Sequence, residues 1–103
     1  MSKNVLILNG SPREQGNCST LSKAFTTGAE SSGHTVKEFH LQNMNIGSCN
    51  ACNKPDNDLD SPCSIKDDMD QVYAAFNKCD VVVLATPTYF WTLSGQLKCT
   101  IDR

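Results

Sequence analysis

The chain has 103 residues and a formal charge of −2, enough for one domain with a modest core. Its Lys and Arg are scattered, which excludes the basic footprint of a nucleic-acid binder, and its longest aliphatic run, Val81 to Ala85, is far too short to span a membrane. Met1-Ser2-Lys3 leads straight into a core-type strand, so no secretory leader is expected; the six cysteines are then expected in a reducing cytoplasm, as free thiols, metal ligands or redox groups.

Asn4 to Asn9 reads as a strand apolar on both faces, the pattern of a buried parallel strand. The loop Gly10-Ser11-Pro12-Arg13-Glu14-Gln15-Gly16-Asn17 follows it and leads into a helix over residues 18–31. Leu21, Ala24, Phe25 and Ala29 fall on one face of that helix, and Ser32-Gly33 ends it, with His34 in the turn. Residues 35–41 alternate Val36, Phe39 and Leu41 against Lys37, Glu38 and His40, which predicts a half-polar second strand with His40 solvated. Residues 42–66 lack periodicity and are rich in Asn, Asp, Ser, Pro and Cys, so they form a long loop; loops of this length are functional or mobile. Asp67-Asp68 opens a helix whose positive end suits the acids and whose apolar side carries Met69, Val72, Tyr73 and Phe76. Val81 to Ala85 is a third strand, apolar all round; Thr86 to Trp91 is an aromatic loop; Ser94 caps a last helix through Arg103.

The resulting βαβαβα order favours a parallel sheet with right-handed crossovers, an α/β fold with helices on both faces. Strand two is half polar and belongs at an edge, and strand one belongs in the middle, which gives the spatial order 2-1-3. Strand order then reverses between strands one and three. Ligands of such sheets bind there, beyond the carboxyl ends of the strands. The loops 10–17 and 86–91 follow those two strands and open onto one site.

The first loop suits a phosphate. A strand turning through Gly and Ser into a helix aims backbone N–H groups and the helix dipole at one spot. Ser11, Asn17, Ser19 and Thr20 add donors, and Arg13 adds a charge. The dinucleotide fingerprint is not met, because Pro12 stands in place of its middle glycine. Nor is the nucleoside-triphosphate loop: Gly10 and Gly16 are one residue too far apart, and Asn17 stands where the lysine belongs. A single terminal phosphate, as in flavin mononucleotide (FMN), fits better; an ordinary strand–helix turn is the other reading. The second loop, from Thr86 to Gly95, sets Tyr89, Phe90 and Trp91 beside Pro87, which suits a flat ring or simply covers the sheet end.

With these residues in view the chain resembles the flavodoxin-like, NAD(P)H-dependent FMN reductase family, which includes the iron–sulfur flavoproteins. Gly10-Ser11-Pro12-Arg13 with Gly16-Asn17, Asp67-Asp68-Met69, Thr86 to Trp91, Gln96-Leu97-Lys98 and Ile101-Asp102-Arg103 carry the resemblance from end to end. It implies that Ser11, Arg13, Asn17, Cys18 and Ser19 surround the FMN phosphate, and that Pro87, Thr88, Tyr89, Phe90 and Trp91 hold the ribityl chain and ring. Position 18 is often threonine in the family; here a thiol, a weaker donor, stands beside Ser19. The implied activity is reduction of FMN by NAD(P)H, with electrons passed to a quinone, nitro compound, metal ion or protein. The flavin carries the chemistry, so no catalytic side chain is assigned. A non-enzymatic electron carrier, and a remnant without cofactor, are the other readings.

Cys49-x-x-Cys52 followed by Cys63 is a second constellation. The iron–sulfur members of the family carry a compact four-cysteine motif in this region, and Pro55 occupies the place of its third cysteine. The loop thus offers three ligands, one short of a complete cluster site. Inert thiols, a redox-active Cys49/Cys52 pair, and a metal or cluster completed by a partner chain all remain open. Cys79 and Cys99 read as small core residues.

A complete flavodoxin-like domain has five strands, and this chain ends after its third βα unit, an incomplete domain over residues 1–103. The edge of strand 81–85 is therefore expected to be bare. Bare apolar edges recruit partners. The expectation is a homodimer with this strand paired to its two-fold mate, or a missing C-terminal half.

Overall fold

The structure, a computed structural model, describes residues 2–103. Strands β1 (Asn4–Asn9), β2 (Thr35–His40) and β3 (Val81–Ala85) form one parallel sheet in the order β2-β1-β3. Helices α1 (Asn17–Ser31), α2 (Met69–Lys78) and α3 (Gly95–Asp102) connect or follow the strands. Leu6 and Leu8 of β1 point to the face covered by α2 and α3, where they join Phe39, Leu41, Met69, Val72, Tyr73 and Leu97 in the core. Asn9 points to the opposite face, beneath α1. The sheet thus lies between two helical layers, as the alternating pattern of the sequence predicts.

The boundaries of β1 and β3 are those expected, with one Asn beyond the apolar run at each end of β1. Strand β2 stops one residue earlier than expected, and Leu41 opens a short 3-10 turn, Leu41–Asn43. Its faces also differ from the expected split. Lys37 shares a face with Phe39, its ammonium 5.3 Å from the ring centroid, while Val36 lies with Glu38 and His40. Strict two-residue alternation, not the polarity of neighbours, decides which side a strand residue takes. His40 is half-buried, its Nε2 3.5 Å from Glu38 Oε2, rather than freely solvated. His34 lies in its turn and accepts the Lys3 N–H on Nδ1 at 3.0 Å.

Helix α1 departs most from expectation. Its buried residues are Ser19 and Ser22, while Leu21 is 70% exposed and Phe25 43%. Leu21 and Phe25 of the predicted apolar face line an open groove with Val83, Leu84 and Ala85 of β3. Strand β3 is likewise less buried than its composition predicts, with Leu84 50% exposed, because it is an edge strand. On the other face an apolar groove of about 460 Å³ runs over Val82 and Leu84, between Tyr73 and Phe76 of α2 and Ile101 of α3. Among the described residues no helix is long and apolar enough to cross a membrane.

One side chain gathers several parts of the long loop. Arg103, at the end of α3, directs all its donors inward: Nη1 to Gly47 O (2.8 Å) and Asp67 Oδ2 (2.9 Å), Nη2 to Ile65 O and Asp67 Oδ1 (both 3.0 Å), and Nε to Cys63 Sγ (3.1 Å). The guanidinium is fully buried, and every N–H has an acceptor, as burial of this group requires. Asp67 is held to a pKa of about 2, chiefly by its hydrogen bonds from Arg103, and Arg103 is pushed further up by the same pair.

Candidate functional site

The two loops meet. The N–H of Gly10 donates to Ala85 O at 2.8 Å, which ties the end of β1 to the end of β3. A Cβ on Gly10 would lie 2.5 Å from Ser94 Oγ and 2.9 Å from Leu97 Cβ, so only glycine lets α3 begin this close to the first loop. Ser94 is the N-cap of α3, its Oγ accepting the Leu97 N–H at 3.3 Å. The hydroxyl of Thr86 accepts the Ser94 N–H at 2.9 Å and donates to Pro87 O at 2.8 Å, which sets the second loop.

Between the loops lies an open groove of about 580 Å³, lined by Ser11, Arg13, Asn17 and Cys18 on one side and by Pro87, Thr88 and Tyr89 on the other. That is the usual size for a cofactor site. Its floor includes the start of α1, where Gly16 is the N-cap. Among the described residues no side chain caps this end, and the first turn holds no acid. The amides of Asn17, Cys18 and Ser19 are those a helix leaves unpaired, and with the helix dipole they suit an anion.

The sequence-predicted site residues separate into three groups. Arg13, Asn17, Cys18, Pro87, Thr88 and Tyr89 line the groove. Ser11, which also borders the groove, and Ser19 are buried and shape the first loop from within: Ser11 Oγ accepts the Arg13 N–H at 3.1 Å, and Ser19 Oγ donates to Arg13 O at 3.5 Å. Phe90 and Trp91 lie at the tip of a two-residue turn, 94% and 91% exposed, outside the groove lining. That turn is closed by paired Tyr89 and Thr92 backbone bonds of 2.8 and 3.0 Å. Its two central residues have φ of 44° and 71°, a conformation that favours Asn-Gly and costs a bulky residue about 1 kcal/mol or more.

Three residues beneath the site were not singled out in the sequence. Asn9, fully buried, accepts the Ser11 N–H on Oδ1 at 3.0 Å and donates from Nδ2 to Glu38 Oε2 at 2.9 Å; Ser22 Oγ donates to the same carboxylate oxygen at 3.1 Å. The signal for Asn9 was a polar residue closing an apolar strand. Ser22 carried none, and Glu38, within the second strand rather than just past it, reads in the sequence only as an acid misplaced for a dinucleotide ribose.

The cysteine loop carries three of the six thiols, Cys49, Cys52 and Cys63. All six cysteines are free thiols. Cys49 Sγ accepts the Ala51 N–H, Cys52 Sγ accepts the Ser64 hydroxyl at 3.1 Å, and Cys63 Sγ is engaged by Arg103 and the Ile65 N–H. Among the described residues no three His, Cys, Asp or Glu side chains gather as ligands. Pro55 lies between Cys52 and Cys63, the second and third thiols of the loop. The Cys52 thiol is lowered in pKa, first by the Ser64 hydroxyl and then by backbone N–H donors. Cys79 packs half-buried at the edge of the core, and Cys99 is half-buried on α3.

An open parallel sheet with a groove and an aromatic loop at the reversal of strand order defines an α/β protein of the flavodoxin-like class. A family model, that of the NADPH-dependent FMN reductases, matches residues 3–103, and the chain belongs to this family. It is 34% identical over 94 residues to an iron–sulfur flavoprotein of Archaeoglobus fulgidus, covering 91% of this chain and 42% of that protein. An iron–sulfur flavoprotein of Methanosarcina thermophila is 32% identical over 97 residues, covering 93% and 49%. A putative NAD(P)H-dependent FMN-containing oxidoreductase of Bacillus subtilis is 24% identical over 100 residues, covering 96% and 50%. The chain spans about half the length of these relatives.

Proposed function

We propose that this chain binds FMN in the groove between its two loops and supports its two-electron reduction by NAD(P)H in the cytoplasm. The observation that carries the reading is the uncapped first turn of α1 facing, across one groove, a loop of Pro87, Thr88 and Tyr89. The α1 amides and Arg13 hold the phosphate, with Asn17 and Cys18 beside it. Ser11 and Ser19 fix the shape of the seat. Pro87, Thr88 and Tyr89 bear on the ribityl chain and ring, and Phe90 and Trp91 supply aromatic surface at the open end. Hydride acceptance and onward electron transfer would be supplied by bound flavin. The protein's part is to grip the phosphate, orient the ring and limit its contact with water. Steady-state NADPH oxidation by the FMN-loaded protein with a quinone acceptor tests this. Turnover above that of free FMN is expected. Bound FMN without turnover contradicts the reductase and makes the chain an electron carrier.

We further propose that a second copy of the chain covers the free edge of β3. Its backbone bonds to β1 use one side only, and Val81, Val82 and Leu84 are exposed along it. Two-fold pairing of β3 with its mate, antiparallel by symmetry, extends the sheet and brings the two apolar grooves together on one face. Sedimentation equilibrium is expected to give a dimer. A monodisperse monomer contradicts this, and a further strand from a longer polypeptide is then the occupant.

A further inference from the structure

We propose that Glu38 is a positioning residue for the phosphate seat, acting through Asn9. Glu38 lies on β2, in register with Ile7, two residues before the end of β1. A carboxylate beside an anion site is unexpected on charge alone, but this one is engaged by donors. Asn9 Nδ2 donates to its Oε2 at 2.9 Å and Ser22 Oγ at 3.1 Å, with His40 Nε2 3.5 Å away. One atom therefore joins β1, β2 and α1 beneath the first loop.

The consequence passes through the Asn9 amide. It is fully buried, so both ends need partners. The ionised carboxylate only accepts and the Ser11 backbone N–H only donates, so one orientation of the amide satisfies both. The reversed amide sets oxygen against carboxylate and N–H against N–H. Glu38 thus forces Asn9 Oδ1 toward the Ser11 N–H, 3.0 Å away. Ser11 Oγ in turn takes the Arg13 N–H at 3.1 Å. The inner amides of the loop are consumed in shaping it, and those of the first turn of α1 are left for a ligand. A loop held this way keeps its form before the anion arrives, which removes an ordering cost from binding. Glu38 therefore raises affinity for the phosphate ester specifically, not for the flavin ring. This rests on the FMN reading above.

The test compares Glu38→Ala with Glu38→Gln, which can still accept from Asn9 Nδ2. In Glu38→Ala the Kd for FMN is expected to rise about tenfold or more, the loss that follows removal of a hydrogen bond to a charged group. The Kd for riboflavin, which has no phosphate, is expected to change by less than about threefold, the size of a weak neutral contact. Glu38→Gln restores most of the FMN affinity. Parallel weakening of FMN and riboflavin, or no gain from Gln over Ala, overturns the proposal. Hydrogen exchange of the Ser11 amide by NMR reads the relay without flavin: protection is lost in Glu38→Ala and kept in Glu38→Gln. If the wild-type chain binds no FMN, the FMN reading fails, and equal Ser11 protection in all three proteins separately overturns the relay. If Glu38→Ala does not fold, the wild-type Asn9 side-chain amide decides. Slow exchange supports the relay and free exchange overturns it.

Discussion

Replacing Asp67 with Asn should destabilise the protein at neutral pH and do almost nothing in strong acid. Arg103 holds Asp67 through two N–H donors at 2.9 and 3.0 Å, and their side chains are 0% and 7% exposed. Asn keeps one acceptor but leaves the guanidinium charge uncompensated. Breaking one partner of a buried pair costs about 3–5 kcal/mol, and the lower end applies here because Gly47 O, Ile65 O and Cys63 Sγ still accept from Arg103. The lowered pKa of Asp67 gives a second figure. Holding the Asp67 carboxyl from 3.8 down to about 2 corresponds to about 2.5 kcal/mol. The folded pKa lies below the unfolded one, so this contribution is complete well above pH 3.8 and is lost as pH falls through about 2. Urea unfolding of Asp67→Asn beside the wild type reads the difference, and other titrating groups cancel between the two. About 2–3 kcal/mol is expected at pH 7, shrinking toward zero near pH 2. Equal stability at pH 7, or a difference that does not change with pH, refutes the reasoning.

Gly10→Ala should cost about 1–3 kcal/mol in thermal or urea unfolding, because its Cβ meets Ser94 and Leu97, both fully buried; an unchanged midpoint would show that α3 gives way freely. Replacing Phe90-Trp91 with Asn-Gly should stabilise the fold by about 1–2 kcal/mol, since both positions have positive φ and the lost rings pack on nothing. The same change should weaken FMN binding, so a stability loss with unchanged affinity would contradict both halves. Ser64→Ala should move the alkylation profile of Cys52 to higher pH, because the Ser64 hydroxyl is the largest cause of its lowered pKa; peptide mass spectrometry after iodoacetamide labelling checks this, and an unmoved profile counts against it.

Much of the frame is legible in local pattern. The segments 4–9 and 81–85 are strands because of their unbroken apolar runs, 5–8 and 81–85, and the polar character of 35–40 sends β2 to an edge. That order alone brings loops 10–17 and 86–91 together. What escaped the sequence depends on separation or register. Asn9 and Glu38 lie 29 residues apart and meet only because Ile7 pairs with Glu38 across the sheet. Asp67 reads as a helix-opening acid, but its partner is 36 residues away at the other end of α3. The Phe90-Trp91 turn was hidden because neither residue carries the Gly or Asn signal of its conformation. The exposure of Leu21 and Phe25 was hidden for another reason: helical periodicity identifies an apolar face but not whether anything covers it.

The most direct measurement is an equilibrium titration of the purified protein with FMN, followed by quenching of flavin fluorescence, with riboflavin in parallel. Saturable binding of FMN at one site per chain, much tighter than riboflavin and weakened by Arg13→Gln, is the predicted result. No quenching by the wild-type protein, or equal affinity for the two flavins, would contradict a phosphate seat between the loops.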